Sequence, residues 1–436
     1  MPRPSTTASV TSGDRTGPKF RRWAINAVIS VGIAALTVVL LDLLLIALGL
    51  FPPTYRYGEP RVGWIPALPS GKIREWPCLE LSTHQQLAYV RNEQGVRTSY
   101  SAATLREDND LFKIMVGGDS HTELCAPNGE THFGVLEREL NASGLRSASL
   151  GYGAGMYSPL QAYLAVKNLV TEYSADALVL NLYTGNDFYD MLRIDDRPHF
   201  VTDGNGYRIA DPVWYAFDAP GTKRRSRILS ALHSMAQKTG LRDTVLRIRY
   251  LRAVAAQEGL GVGAVIDYMN DLRKAASGKV AYQHAFSAQM LNQQLFFHHF
   301  SGSKQESIRR VKTLLEMARR ENPGVLLILS PIPSYELALN KAIEPALAEV
   351  LQQLPITYAS GVAQERELYE ALRTLAVETG WVFVDTLPGL RQYQGSDPLF
   401  NNADYHIRPN ASQIIGRAQA AVIMKSLHSR SGKPVQ

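Results

Sequence analysis

The sequence predicts an α/β fold: a doubly wound, parallel five-stranded sheet with a long helical insertion, preceded by one transmembrane helix. Three observations carry this reading. Five short β-rich runs follow residue 110, most of them trailed by an amphipathic helical pattern. Roughly 140 residues separate the third run from the fourth, far beyond an ordinary crossover. Upstream, an apolar stretch with a single charge runs from Ala24 to Phe51.

Residues 1–23 are rich in Ser, Thr, Pro and Gly, show no apolar period, and are expected to be a disordered tail. Residues 24–51 exceed the roughly 20 residues a bilayer requires, and Pro52-Pro53 stops the helix. Lys19, Arg21 and Arg22 crowd one flank, whereas Arg56 and Arg61 stand further from the other. The positive-inside rule then puts the tail in the cytoplasm and the rest on the periplasmic or extracellular side of the inner (cytoplasmic) membrane. The apolar run outlasts a signal-peptide core of about 7–15 residues, so an uncleaved single-pass anchor is expected. Asp42 falls in its C-terminal half, where helix tilt would lift the charge toward the outer headgroups.

Residues 52–110 carry turn residues and no long helical period, as an N-terminal extension would. The main domain is expected over 111–428, with strands at Phe112–Val116, Leu145–Leu150, Ala177–Tyr183, Gly324–Leu329 and Trp381–Val384. Unbroken apolar runs such as ALVLNLY and VLLIL suit parallel strands covered on both faces. In such sheets ligands bind beyond the C-terminal strand ends.

The insertion, about 188–323, contains a GNGY turn and then helical segments over residues 223–251, with Ile228, Leu229, Leu232 and Met235 on one face. Nine basic residues between Lys223 and Arg252 oppose only Asp243. They make a solvated basic face or a surface for anionic polysaccharide or lipid headgroups. Phe296, Phe297, His298, His299 and Phe300 read as lid packing, because adjacent histidines point to different faces. The net charge of +6 is concentrated in the tail, which holds five basic residues against one acidic. With no basic patch interleaved with aromatics, nucleic-acid binding is excluded.

Each strand end carries a polar signature. Gly117-Gly118-Asp119-Ser120-His121 follows the first, where a helix N-terminus favours developing negative charge. The glycine loop SLGYGAGMYSPLQ follows the second, Thr184-Gly185-Asn186-Asp187 the third, and Asn402-Ala403-Asp404-Tyr405-His406 lies past the last.

Gly-Asp-Ser, a glycine loop, Gly-Asn-Asp and a terminal Asp/His pair, in that order, resemble the SGNH (GDSL-like) hydrolase family in its membrane-anchored bacterial type. The resemblance covers roughly residues 110–425 minus the insertion and implies a flavodoxin-like sheet. It implies Ser120 as nucleophile, His406 as its base and Asp404 as the acid that fixes the imidazole tautomer. The oxyanion hole would comprise the Ser120 N–H, the Gly155 N–H (with Gly153 as the alternative) and the Asn186 amide. The Asp404/His406 spacing departs from the commoner Asp-x-x-His and resembles the branch acting on polysaccharide acetyl groups. Asp119 and Asp187 are expected to hold their loops by hydrogen bonds, and His121 to wall the site. No metal or organic cofactor is expected.

The implied reaction is hydrolysis of acetyl esters on cell-envelope or extracellular polysaccharide. The alternatives are transfer of acetyl groups onto polysaccharide with a multi-pass membrane partner that delivers the acyl donor, and a non-catalytic carbohydrate-binding module. In an oxidising compartment Cys78 and Cys125 either pair, pinning the extension against the nucleophile helix, or stay as buried thiols.

Overall fold

The computed structural model describes residues 55–59, 62–66, 74–79, 85–194, 197–204, 206–210, 251–267, 293–339, 357–401 and 406–431, with residues 26, 29–33, 36 and 37 upstream. The chain divides into two compact units, Met1–Thr54 and Tyr55–Gln436.

The expected transmembrane helix is corrected. Among the described residues no helix is long and apolar enough to cross a membrane. Within 24–51 the described positions are helical and exposed. The remainder of that stretch, the tail 1–23 and the basic segment 223–250 lie outside the described residues.

Among the described residues there are eleven strands, β1 to β11 in chain order. β1 (Tyr55–Glu59) pairs with β2 (Gly63–Pro66), and β3 (Arg74–Leu79) with β4 (Gln86–Arg91), as antiparallel hairpins of the N-terminal extension. The central sheet takes β5 (Phe112–Gly118), β6 (Ser147–Gly153), β7 (Ala177–Tyr183), β10 (Leu326–Ile332) and β11 (Val382–Phe383). Between β7 and β10 stands a hairpin of β8 (His199–Thr202) and β9 (Tyr207–Ala210) around the GNGY turn, where Gly204 and Gly206 take positive φ.

The central order is β11-β10-β7-β5-β6, and every pairing is parallel. Counted along the chain this is 2-1-3-4-5, so the order reverses between β5 and β7, the point beyond whose strand ends such sheets bind ligands. Ala177–Tyr183 is found as expected. β6 and β10 each end three residues further toward their C-termini than expected. Their last residues pair in register with β5 and β7, Gly153 opposite Gly118 and Ile332 opposite Tyr183. Pairing, not apolar character, ends these strands.

Alternate residues face opposite layers, as the two-residue strand period requires. Met115, Leu178, Leu180, Leu327 and Leu329 pack in one core with residues of the helices Pro159–Glu172, Ser301–Glu321 and Tyr358–Thr379. Ile114, Val116, Val179 and Ile328 pack in the other with residues of His132–Ala142 and Pro409–Ser431. Burying each such aliphatic side chain contributes about 1.5–3 kcal/mol. The helix Pro159–Glu172 begins at a capping box of Ser158 and Gln161 with Pro159 in its first turn, which satisfies two end N–H groups.

Candidate active site

The first block sits where β5 ends. Asp119 caps the helix Ser120–Glu123, its carboxylate accepting the His121 N–H at 2.9 Å while its carbonyl accepts those of Thr122 and Glu123. The Leu124 N–H closes on the Ser120 carbonyl. These bonds engage every N–H of the turn after Ser120 and not that of Ser120 itself. Ser120 is half-buried and stands first in the helix.

The helix ends at Glu123. Leu124 takes a positive φ of 22° and Pro127 follows, so Cys125 lies in the loop beyond the helix and not on it. There Cys125 forms a disulfide with Cys78 of β3. Arg97 holds the same loop: its guanidinium donates to the carbonyls of Glu123, Leu124 and Ala126, the last two at 2.7 and 2.6 Å. It also packs over the rings of Tyr89 and Phe133. Burial lowers its pKa to about 9. A lone arginine in a mixed segment gave no sequence signal of this role.

In the loop after β6, Gly155 donates its N–H to the Glu123 carboxylate at 2.6 Å. Gly153 ends β6 against the nucleophile turn, where a Cβ would stand 2.7 Å from the Asp119 carbonyl oxygen. Only glycine permits that approach.

The third block closes β7. Asp187 accepts the Tyr183 N–H at 2.8 Å, so both Asp119 and Asp187 hold their turns. Asn186 donates from Nδ2 to Asp190 at 2.9 Å, and Asp190 is itself paired with the buried Arg197 at 3.0 Å. Gln293 grips this turn from the insertion, accepting the Tyr189 N–H and donating to the Thr184 carbonyl. Thr184 also bonds Glu365, which accepts from Ser334 past β10. Neither Gln293 nor Glu365 was foreseen, since neither falls in a motif. Phe296, Phe297 and Phe300, just beyond Gln293, are fully buried, whereas His298 and His299 are exposed.

His406, half-buried, is presented on a short bridge in which Phe400 pairs with Ile407. Its carbonyl accepts the Asn401 N–H at 2.8 Å, and the Arg408 N–H bonds the Leu399 carbonyl. The His121 ring stacks on Tyr183 at 4.2 Å between centroids and lies 4.8 Å from the His406 ring. The nucleophile turn, the end of β7 and the histidine loop therefore meet in one cluster. Asp404 lies outside the described residues.

Burial dominates the electrostatics. Desolvation raises the Asp119 carboxyl to about 6 and pushes Asp187 well above the carboxylate range, each next to other carboxylates. His121 is pushed well below its ordinary value by burial, then by His406 and His132, and His132 is lowered to about 4. Under the site Thr122, Asn181, Gln419 and Ser330 form a buried chain of hydrogen bonds. Among the described residues no group of three or more His, Cys, Asp or Glu could hold a metal ion.

No family model and no curated protein matches the sequence. Solved structures similar to the chain include a lipase/acylhydrolase from Enterococcus faecalis, at 10% identity and TM-score 0.34, covering 73% of this chain and 97% of that one. A carbohydrate acetylesterase family member from Sinorhizobium meliloti is 13% identical with TM-score 0.32, covering 73% and 99%. An acetyl xylan esterase is 10% identical with TM-score 0.34, covering 71% and 99%. At these values the functional reading rests on the chain's own strand ends.

Proposed function

We propose that the chain is a serine esterase of the SGNH (GDSL-like) type that cleaves acetyl esters of polysaccharide through an acyl-enzyme on Ser120. The observation that carries this is the placement of Ser120 and Asn186 on either side of the β5/β7 reversal, with the His406 ring packed against the residue that follows Ser120. Ser120 attacks the ester carbonyl, His406 takes its proton and returns it to the leaving alcohol, and Asp404 orients the imidazole. The Ser120 N–H, the Gly155 N–H and the Asn186 amide hold the oxyanion, so Glu123 gives up the Gly155 donor when substrate enters. The acetyl and polysaccharide assignments come from the resemblance of the motifs. The Cys78–Cys125 disulfide favours an oxidising compartment outside the cytoplasm.

A fluorophosphonate probe tests this: it should label wild-type protein at Ser120 and not label Ser120→Ala. Ser120→Ala and His406→Ala should each nearly abolish turnover of an aryl acetate, and the double variant should be scarcely worse. Asn186→Ala should label slowly and lose about a hundredfold or more. A folded Ser120→Ala protein with wild-type turnover would refute the reading. With oligosaccharide present, free acetate is the expected product; acetylated oligosaccharide would replace the esterase with an acyltransferase.

A further inference from the structure

His121 is fully buried, and its two ring nitrogens are in different states. Nδ1 accepts the backbone N–H of Ile407 at 3.4 Å, whereas Nε2 is buried with no hydrogen-bond partner among the described residues. An Nδ1 that accepts cannot carry a proton, so the neutral ring holds its hydrogen on Nε2. One face of the ring stacks on Tyr183, and the His406 ring lies 4.8 Å away at a tilt of 47°.

Two chain neighbours are thereby joined. His121 follows Ser120, Ile407 follows His406, and one hydrogen bond links them. Ile407 is itself buried in a cluster with Leu124, Tyr183, Ile332 and Phe400. The separation of Ser120 and His406 is fixed through a contact one residue from each.

We infer that His121 is a positioning residue for His406, holding the base-bearing loop to the nucleophile turn through its neutral Nε2–H tautomer. This rests on the assignment of Ser120 and His406 above and adds to it a residue that takes no proton in the reaction. The charged and titratable groups facing the ring are consistent with a permanently neutral state. They are His406 on its loop, His132 from the helix His132–Ala142, Tyr183 from β7 and Asp119 in its own turn. A second imidazolium beside His406 would oppose the charge that His406 acquires when it takes the serine proton.

The test compares two substitutions with different geometry. His121→Asn keeps an oxygen where Nδ1 stands and can still accept from Ile407. His121→Phe keeps a stacking ring and leaves the Ile407 N–H unpaired. Positioning predicts that His121→Phe lowers kcat about a hundredfold with little change in KM, as misplacement by about an ångström does. His121→Asn should retain most of the activity. A ring that serves only as packing predicts the reverse order, and a second general base predicts that both variants are as inactive as Ser120→Ala. Either result overturns the inference.

Nitrogen-15 histidine spectra of the wild-type protein read the tautomer directly and decide the matter if His121→Phe does not fold. His121 should hold its proton on Nε2 throughout the range where histidines ordinarily titrate, about pH 5 to 8. Titration within that range, or a proton on Nδ1, overturns the inference. A wild-type protein whose Ser120 takes no fluorophosphonate label overturns the esterase reading and this inference with it. A labelled wild type with an active His121→Phe overturns this inference alone.

Discussion

Glu123 accepts the backbone N–H of Gly155 at 2.6 Å, so a single carboxylate ties the helix that carries Ser120 to the loop after β6. The same carboxylate stands 3.7 Å from Arg91 of β4. Glu123→Ala should lower aryl acetate turnover about tenfold and cost about 1.5–3 kcal/mol, the usual value of a charge-assisted bond. Glu123→Gln, which keeps an acceptor, should stay close to wild type in both turnover and melting temperature. An alanine variant faster than wild type would instead mark Glu123 as an obstruction to the Gly155 donor.

Gly153→Ala should fold with reduced stability and strongly reduced turnover. Its Cβ would stand 2.7 Å from the Asp119 carbonyl oxygen, a backbone atom with no flexible end to yield. Strand β6 or the nucleophile turn must then move, at a cost of about 1–3 kcal/mol. A Gly153→Ala variant with wild-type stability and turnover would refute the close-approach argument.

Asp119 gives a pH dependence whose sign follows from burial. Its folded-state pKa, about 6, lies above the ordinary carboxyl value of 3.8. Between those two values the folded chain keeps a proton that the unfolded chain has lost, so this carboxyl's contribution to stability falls as pH rises and levels off above about 6. Asp119→Asn keeps an acceptor for the His121 N–H and removes the ionisation. Urea midpoints should show the variant gaining on wild type from about pH 4 to pH 6, and holding that gain at higher pH. A constant difference across the window would show that Asp119 is not the group responsible.

Reduction of Cys78–Cys125 should destabilise the chain by about 2–4 kcal/mol, since the bridge closes a loop over a separation of 47 residues. Thermal melts with and without reductant measure this. The double Cys→Ser variant should melt with the reduced wild type and be indifferent to reductant. An unchanged melt on verified reduction would remove the disulfide from the stability of the nucleophile loop.

Much of the sheet was legible because its strands are apolar on both faces. ALVLNLY fixed β7 to the residue, and the Gly-Asp-Ser and Gly-Asn-Asp blocks fall where β5 and β7 end. No local pattern records which parallel strand lies beside which; the order found is the flavodoxin-like one that the resemblance implied. The extension concealed two hairpins because β1 to β4 mix turn, charged and aromatic residues without clean alternation. Within the site, motif residues were visible and their holders were not. Arg97, Gln293 and Glu365 act from elements remote in sequence, and a solitary polar residue carries no mark of the carbonyl it will meet. The apolar run 24–51 shows the opposite error: composition suggested a spanning helix that the described residues do not form.

The long excursion between β7 and β10 has a consequence for biosynthesis. β7 ends at Tyr183 and its neighbour β10 begins at Leu326, yet the two pair along seven residues each. A ribosome adding about 5–20 residues per second leaves the outer edge of β7 without its neighbour for about 7–30 s. That edge is an apolar template open to other nascent chains. Slower translation lengthens the interval and crowding raises its hazard, so yield in a heterologous host should depend on chaperone supply more than on the stability of the finished sheet.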